Sequence, residues 1–206
     1  MNEKNLQGLS DMPQGLQALM QSNVTKRKLP PVDNWEPPYC GDLDMRIARD
    51  GTWFYNGTPI GREALVSLFA TVLRKDEDGK TYLVTPVEKI GITVDDAAFL
   101  AIEMFTTGSG ENQIITFVTK QNDLTEVSEV RPLRFELEQD TDGVKPYVLV
   151  RGRLEACLTR ALTYDLVSLG QSHNVDGEEY FGVWSNKIFW SMCKTADFET
   201  GHTDCA

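Results

Sequence analysis

Four arginines of this chain stand where they could meet an anion: Arg46 and Arg49 before an Asp50-Gly51 turn, and Arg151 and Arg153 around Gly152. A guanidinium forks phosphate or carboxylate, and an indole face gives a planar ring something to stack on. Trp53 and Tyr55 follow the first turn directly. Read as a hairpin folded on Asp50-Gly51, the sequence pairs Arg46 with Tyr55, Ile47 with Phe54 and Ala48 with Trp53. Met45, Ile47 and Phe54 then make a core face, while Asp44, Arg46, Trp53 and Tyr55 make a polar, aromatic face for a base or an aromatic head group. The plainer alternative puts Trp53 and Tyr55 under the proline-rich segment around Trp35, with Arg46 paired to Asp44 or Glu63.

Two further sets of residues could contribute. Glu88-Lys89 interrupts an apolar stretch, and Asn186-Lys187 does the same later on. These charges could fix a ligand's orientation, or they could be solvated residues at two hairpin bends. Arg151-Gly152-Arg153 stands before a helix-like pattern, as Arg62 does, and helix N-termini attract anions. Glu155, Glu63 or Asp165 could equally neutralise those arginines. Asp95-Asp96 could serve as a carboxylate pair, together with Asp42 and Asp44, or simply cap a turn.

The elements that must position these groups show an internal echo. Asp78-Gly79-Lys80-Thr81-Tyr82 leads to Lys89-Ile90, and Asp176-Gly177-Glu178-Glu179-Tyr180 leads to Lys187-Ile188; 176−78 and 187−89 both give 98. Gly61-Arg62 and Gly152-Arg153 precede the two stretches. The repeated order predicts a duplicated unit, hence a joint between halves where a ligand could sit.

Alternation predicts strands from Leu43 to about Ile60 as a three-stranded meander, then Tyr82 to Val87 and Ile90 to Val94. In the second half it predicts strands at Phe99–Phe105, Gln113–Val118, Leu124–Val127, Leu133–Leu137 and Tyr147–Val150, and a last one from Tyr180 to Trp190. Helical spacing predicts helices over Arg62–Leu73 and Arg153–Leu169. Leu6, Leu9, Leu16, Leu19 and Met20 suggest a short helix in an N-terminal extension, residues 1–29, with Asp11 as its cap. The fold expected is α+β, with repeats over 30–97 and 98–192 and a flexible tail over 193–206.

Composition limits the function. The 206 residues carry a net charge of −11, which argues against nucleic acid or an anionic membrane as partner. The first residues lack a basic stretch followed by an apolar core, so the expectation is a cytoplasmic protein without a signal peptide. Four scattered cysteines and two histidines offer no metal-ligand spacing and no His-based nucleophile system. No cofactor is expected.

Long blocks of the chain resemble a bacterial family called domain of unknown function 1285. They include Pro37-Pro38-Tyr39-Cys40-Gly41-Asp42, Arg46-Ile47-Ala48-Arg49-Asp50-Gly51-Thr52-Trp53-Phe54-Tyr55, Leu83-Val84-Thr85-Pro86-Val87-Glu88-Lys89-Ile90-Gly91-Ile92 and Gly182-Val183-Trp184-Ser185. The resemblance spans roughly residues 30–192. It implies two similarly folded α+β halves, the second like a pleckstrin-homology domain. It also implies a site at their joint for a nucleotide-type ligand and a role in signalling, with no established activity. The combined expectation is a regulator binding a small anionic, nucleotide-like ligand through Arg46, Arg49, Trp53, Tyr55, Glu88, Lys89, Asp95, Arg151 and Arg153. An enzyme using Asp42, Asp44, Asp95 or Asp96, and a protein-interaction module, are the alternatives.

Overall fold

The computed structural model describes residues 12–21, 29–138 and 143–195, and the chain divides into two units, Met1–Asp96 and Ala97–Ala206. The first has helix α1 (Gln14–Gln21), a 3-10 turn (Val32–Asn34), strands β1 (Tyr39–Ile47), β2 (Trp53–Tyr55) and β3 (Thr58–Pro59), helix α2 (Glu63–Thr71), and strands β4 (Leu73–Lys75), β5 (Thr81–Val84) and β6 (Lys89–Val94). The second runs β7 (Phe99–Thr107), β8 (Ile114–Thr119), β9 (Leu124–Glu126), β10 (Leu133–Glu138), β11 (Gly143–Arg151), β12 (Leu154–Leu158), helix α3 (Arg160–Ser168), β13 (Gln171–Val175), β14 (Glu178–Ser185) and β15 (Ile188–Lys194).

Each unit is built on one six-stranded sheet, and the two sheets have the same plan. The orders are β3-β2-β1-β6-β5-β4 and, read from the opposite edge, β9-β8-β7-β12-β11-β10. In each, two antiparallel meanders meet through a parallel pair, β1 with β6 and β7 with β12. The fold is therefore a duplicated α+β arrangement. The units differ in where the helix falls. It separates the meanders in the first unit, whereas in the second it follows the complete sheet and leads into a three-stranded sheet, β13-β14-β15.

The register locates the duplication elsewhere than the echo does. Arg74 pairs with Tyr82, which pairs with Gly91; Arg134 pairs with Tyr147, which pairs with Cys157. The offsets are 134−74 = 60, 147−82 = 65 and 157−91 = 66. The echo at 98 instead relates two meanders that each follow a helix, β4-β5-β6 and β13-β14-β15, and only the first belongs to a six-stranded sheet.

One element differs in type from its expectation. Arg153–Leu169 is not a single helix: Leu154–Leu158 is a strand, and the helix begins at Arg160. A spacing of four satisfies both periods, so Leu154 and Leu158 fit a helical stripe and also one face of a strand. Thr159 makes the break, its hydroxyl accepting the Leu162 N–H as an N-cap. Gly152, at φ 54°, turns β11 into β12. Strands β4 and β13 were not anticipated. β15 reaches Lys194 with Cys193 buried, so the strand enters the region expected to be tail. Expectations for residues 1–11 and 196–206 lie outside the described residues.

Candidate functional site

The hairpin at the end of β1 has a loop one residue longer than the Asp50-Gly51 reading. Ala48 N–H donates to the Thr52 carbonyl at 2.9 Å, enclosing Arg49-Asp50-Gly51, and Gly51 takes φ 73°. The pairs are Ile47 with Trp53, Arg46 with Phe54 and Met45 with Tyr55. A one-residue slip moves every side chain to the opposite face. Trp53 and Tyr55 therefore join Met45 and Ile47 in the core, only 1% and 9% exposed. Trp53 stacks on Phe69 of α2 at 6.4 Å. The expected Trp53 platform and the Arg46–Tyr55 pair are thus corrected: Arg46 lies over Phe54, 4.6 Å from the ring centroid, and forms an ion pair with Asp95. Arg49 is exposed in the loop.

Glu88 and Lys89 diverge. Thr85 N–H donates to the Glu88 carbonyl at 2.9 Å, and Glu88 N–H donates to the Thr85 hydroxyl at 3.2 Å, closing a tight turn. The Glu88 carboxylate is buried and accepts the Leu16 N–H of α1 at 3.0 Å. Lys89 lies 4.6 Å above the Tyr82 ring with its Nζ 3.0 Å from Asp76.

Asp76 joins a cluster that the sequence reading missed. Arg74 Nε donates to Asp76 at 2.6 Å, and Arg74 Nη1 donates to the carbonyls of Val32 and Trp35 at 2.9 and 2.7 Å. Burial pushes the Asp76 carboxyl up, but hydrogen bonds from Arg74 and Lys89 outweigh it and hold the group below its ordinary value. Tyr82 donates to Asp78, which pushes the phenol up to about 12. Tyr39 donates to Asp42 at 2.7 Å, and Gly91 leaves the room for that carboxylate, since a Cβ there would overlap Asp42.

The second unit repeats part of this arrangement. Arg134 lies 4.1 Å above the Tyr147 ring and is held by Glu155 and Glu136, which raise its pKa, Glu155 most. Arg74-x-Asp76 corresponds to Arg134-x-Glu136, and Tyr82 to Tyr147. That repeated arginine, acid and tyrosine pattern was the sequence signal available for both clusters. Arg151 lies 4.7 Å over Phe99 and pairs with Asp123 at 2.8 Å. Arg151 ends β11 and Arg153 is exposed in the turn that follows, so neither stands at a helix start, which corrects that expectation.

The expected residues therefore do not all come together. Arg46 and Asp95 stand at the C-terminal ends of the parallel strands β1 and β6, where Asp95 N–H donates to the Ile47 carbonyl at 2.9 Å. Glu88 and Lys89 stand at the start of β6. At about 3.3 Å per residue, that is roughly 20 Å away. Among the described residues, no group of three or more His, Cys, Asp or Glu side chains is arranged to hold a metal ion. None of the described helices is long and apolar enough to cross a membrane.

The fold and these clusters define a class: a duplicated α+β protein with cation–aromatic–carboxylate sets in both units. The comparisons name the family. "Domain of unknown function (DUF1285), N-terminal domain" matches residues 30–97, and "Protein of unknown function (DUF1285), C-terminal domain" matches residues 98–192. The chain belongs to the DUF1285 family. It is similar to a DUF1285 family protein from Silicibacter pomeroyi DSS-3, solved at 2.50 Å, with 41% identity and a TM-score of 0.81, covering 91% of this chain and 100% of that one. A DUF1285 family protein from Shewanella baltica OS155 is 26% identical, with a TM-score of 0.49, over 61% of this chain and 91% of that one. No curated protein matches.

Proposed function

We propose that this protein is a cytoplasmic, non-enzymatic regulator that binds a small anionic, nucleotide-like ligand, with Arg46 as its main anion contact. The observation that carries the reading is the setting of Arg46. Its guanidinium rests on Phe54, takes one carboxylate contact from Asp95, and leaves 42% of the side chain exposed. A guanidinium has five donors in a fixed fork, and the single bond from Nη1 to Asp95 orients that fork. Arg49 follows on the same hairpin and adds positive charge. Glu88 and Lys89 fall outside this group, and Trp53 and Tyr55 support it from within the core.

The test is thermal stabilisation across a panel of nucleotides and inorganic phosphates. A ligand at 100 times its Kd adds about 2.7 kcal/mol, which is a shift of several degrees. R46A abolishes the shift and leaves the unliganded melting temperature nearly unchanged. R151A, measured alongside, tells whether the other unit contributes. No stabilisation by any compound at millimolar concentration overturns the reading.

A second reading, a protein-docking module, draws on Phe105 and Leu124, which are 55% and 67% exposed. The register puts Phe105, Val118 and Leu124 on one face of β7-β8-β9 with Glu103 and Glu126. That pattern suits an apolar partner segment with basic flanks. F105A and L124A should weaken capture of such a partner while R46A leaves it intact, and capture that survives both truncations rejects this reading.

A further inference from the structure

Arg46 is a cation in acidic surroundings. Arg49 is the other arginine of its hairpin, and three aspartates accompany the pair: Asp44, Asp50 and Asp95. Burial alternates along β1, with Met45 and Ile47 inward and Asp44 and Arg46 on the outer face. Two residues along a strand put Asp44 about 7 Å from Arg46. Asp50 lies in the loop, where Oδ1 accepts the Thr52 N–H at 2.9 Å. Asp95 accepts from Arg46 Nη1 through Oδ2 at 2.5 Å. Three carboxylates thus stand against two guanidiniums, on a chain whose net charge is already −11.

This balance bears on how much charge an occupant can carry. Among the described residues, Arg46 has no ion-pair partner besides Asp95, and Asp95 Oδ1 accepts no hydrogen bond. An anion on the open side of the fork therefore shares one guanidinium with Asp95. The first negative group is offset by Arg46 itself. Each further negative charge on the ligand meets Asp95, Asp44 and Asp50, with only Arg49 left to offset it. Like charges about 7 Å apart at a protein surface cost on the order of 10-fold in affinity, less at high salt.

Resting on the reading of Arg46 as the anion contact, we propose that the ligand carries a single negative charge, as a phosphate diester does, and that Asp95 and Asp44 turn away terminal phosphates. Selectivity of this kind comes from a repulsive group as much as from an attractive one. Asp95 has two tasks: Oδ2 orients the fork, and Oδ1 limits the charge that the fork accepts. Asp44 adds to the second task without touching the first.

The probes are cyclic AMP, a singly charged diester, and ATP, with cyclic GMP and GTP as a second pair. Each is titrated calorimetrically into the full-length chain at one ionic strength, with EDTA present so that no divalent ion neutralises the triphosphate. For at least one base, the diester should bind at least ~10-fold more tightly than the triphosphate. D95N and D44N should each tighten the triphosphate ~3-fold or more and change the diester less. Because D44N keeps the Arg46–Asp95 pair, its effect reports charge and not the orientation of the fork. A triphosphate that binds as tightly as its diester, or a preference that neither substitution moves, overturns this inference and leaves Arg46 as the anion contact. Binding that survives R46A, or no binding by any of the four at millimolar concentration, overturns this inference together with the reading it rests on.

Discussion

The edge of the first sheet and the edge of the second are built on one pattern and solve it differently. On β4 and β5, Arg74 sits across from Tyr82; on β10 and β11, Arg134 sits across from Tyr147. The next strand supplies Lys89 in the first unit and Glu155 at the matching place in the second. The first edge holds two cations around Asp76, whereas the second holds two carboxylates around Arg134. On that same strand Gly91 corresponds to Cys157, and their neighbours one strand further in are Asp42 in the first unit and Leu100 in the second. The frame thus conserves a cation over a tyrosine, while the sign around it and the polarity of the row are free to change. Arg74 also acquired a task its counterpart lacks among the described contacts: it ties down the Val32 and Trp35 carbonyls of the proline-rich segment.

The comparison can be broken at its base. If the two sheets are equivalent, core truncation on β2 and on β8 should hurt alike. W53A and F117A remove side chains that are 1% and 0% exposed, and each should cost about 3–5 kcal/mol in urea unfolding. A loss under about 1 kcal/mol for W53A alone would return Trp53 to the surface and reject the register.

The edges sharpen the comparison at intermediate size. R74A leaves two carbonyls without their donor and should cost about 2–3 kcal/mol. R134A, whose side chain is 41% exposed, should cost about 1 kcal/mol or less, because exposed ion pairs contribute little. Equal losses in chemical denaturation would dissolve the distinction.

The smallest effects are pH-dependent. Asp76 has a folded pKa below its ordinary 3.8, so its contribution is present above that value and is lost as pH falls through the folded pKa. D76N should flatten the acid limb of stability against pH. Tyr82 is the opposite case. Its folded value of about 12 exceeds the ordinary 10.0, so its contribution is whole below pH 10 and disappears as pH rises through 12. Y82F should remove that alkaline loss, and an unchanged alkaline limb would mean that the Tyr82–Asp78 bond adds nothing in solution.

Local rules carried most strands and the α+β class from sequence, because period-two alternation survives wherever one face is buried. Phe99, Ala101, Ile115 and Phe117 are examples. The functional list fared differently because it depended on register. One loop residue beyond Asp50-Gly51 sent Trp53 inward and Phe54 outward under Arg46. Leu154 and Leu158 were ambiguous because four divides by two and nearly by 3.6. Arg74 and Asp76 left only the repeated arginine-x-acid spacing as a trace, because the other partners that complete the cluster, Val32, Trp35 and Lys89, are distant in sequence. The Glu88 bond to Leu16 spans 72 residues and leaves no local mark.

The parallel pair at the centre of each sheet has a consequence for how the chain matures. β1 is the first strand of its sheet and β6 the last; β7 and β12 stand in the same relation. During synthesis, β1 emerges without the neighbour that flanks it on one side and waits for Val94 before its ladder can close. Loop closure of that span must precede any gain from the pairing, which makes it a slow, non-local step. Each half therefore passes through an interval with its future central strand exposed as an edge, the state in which chains most readily find one another instead of themselves.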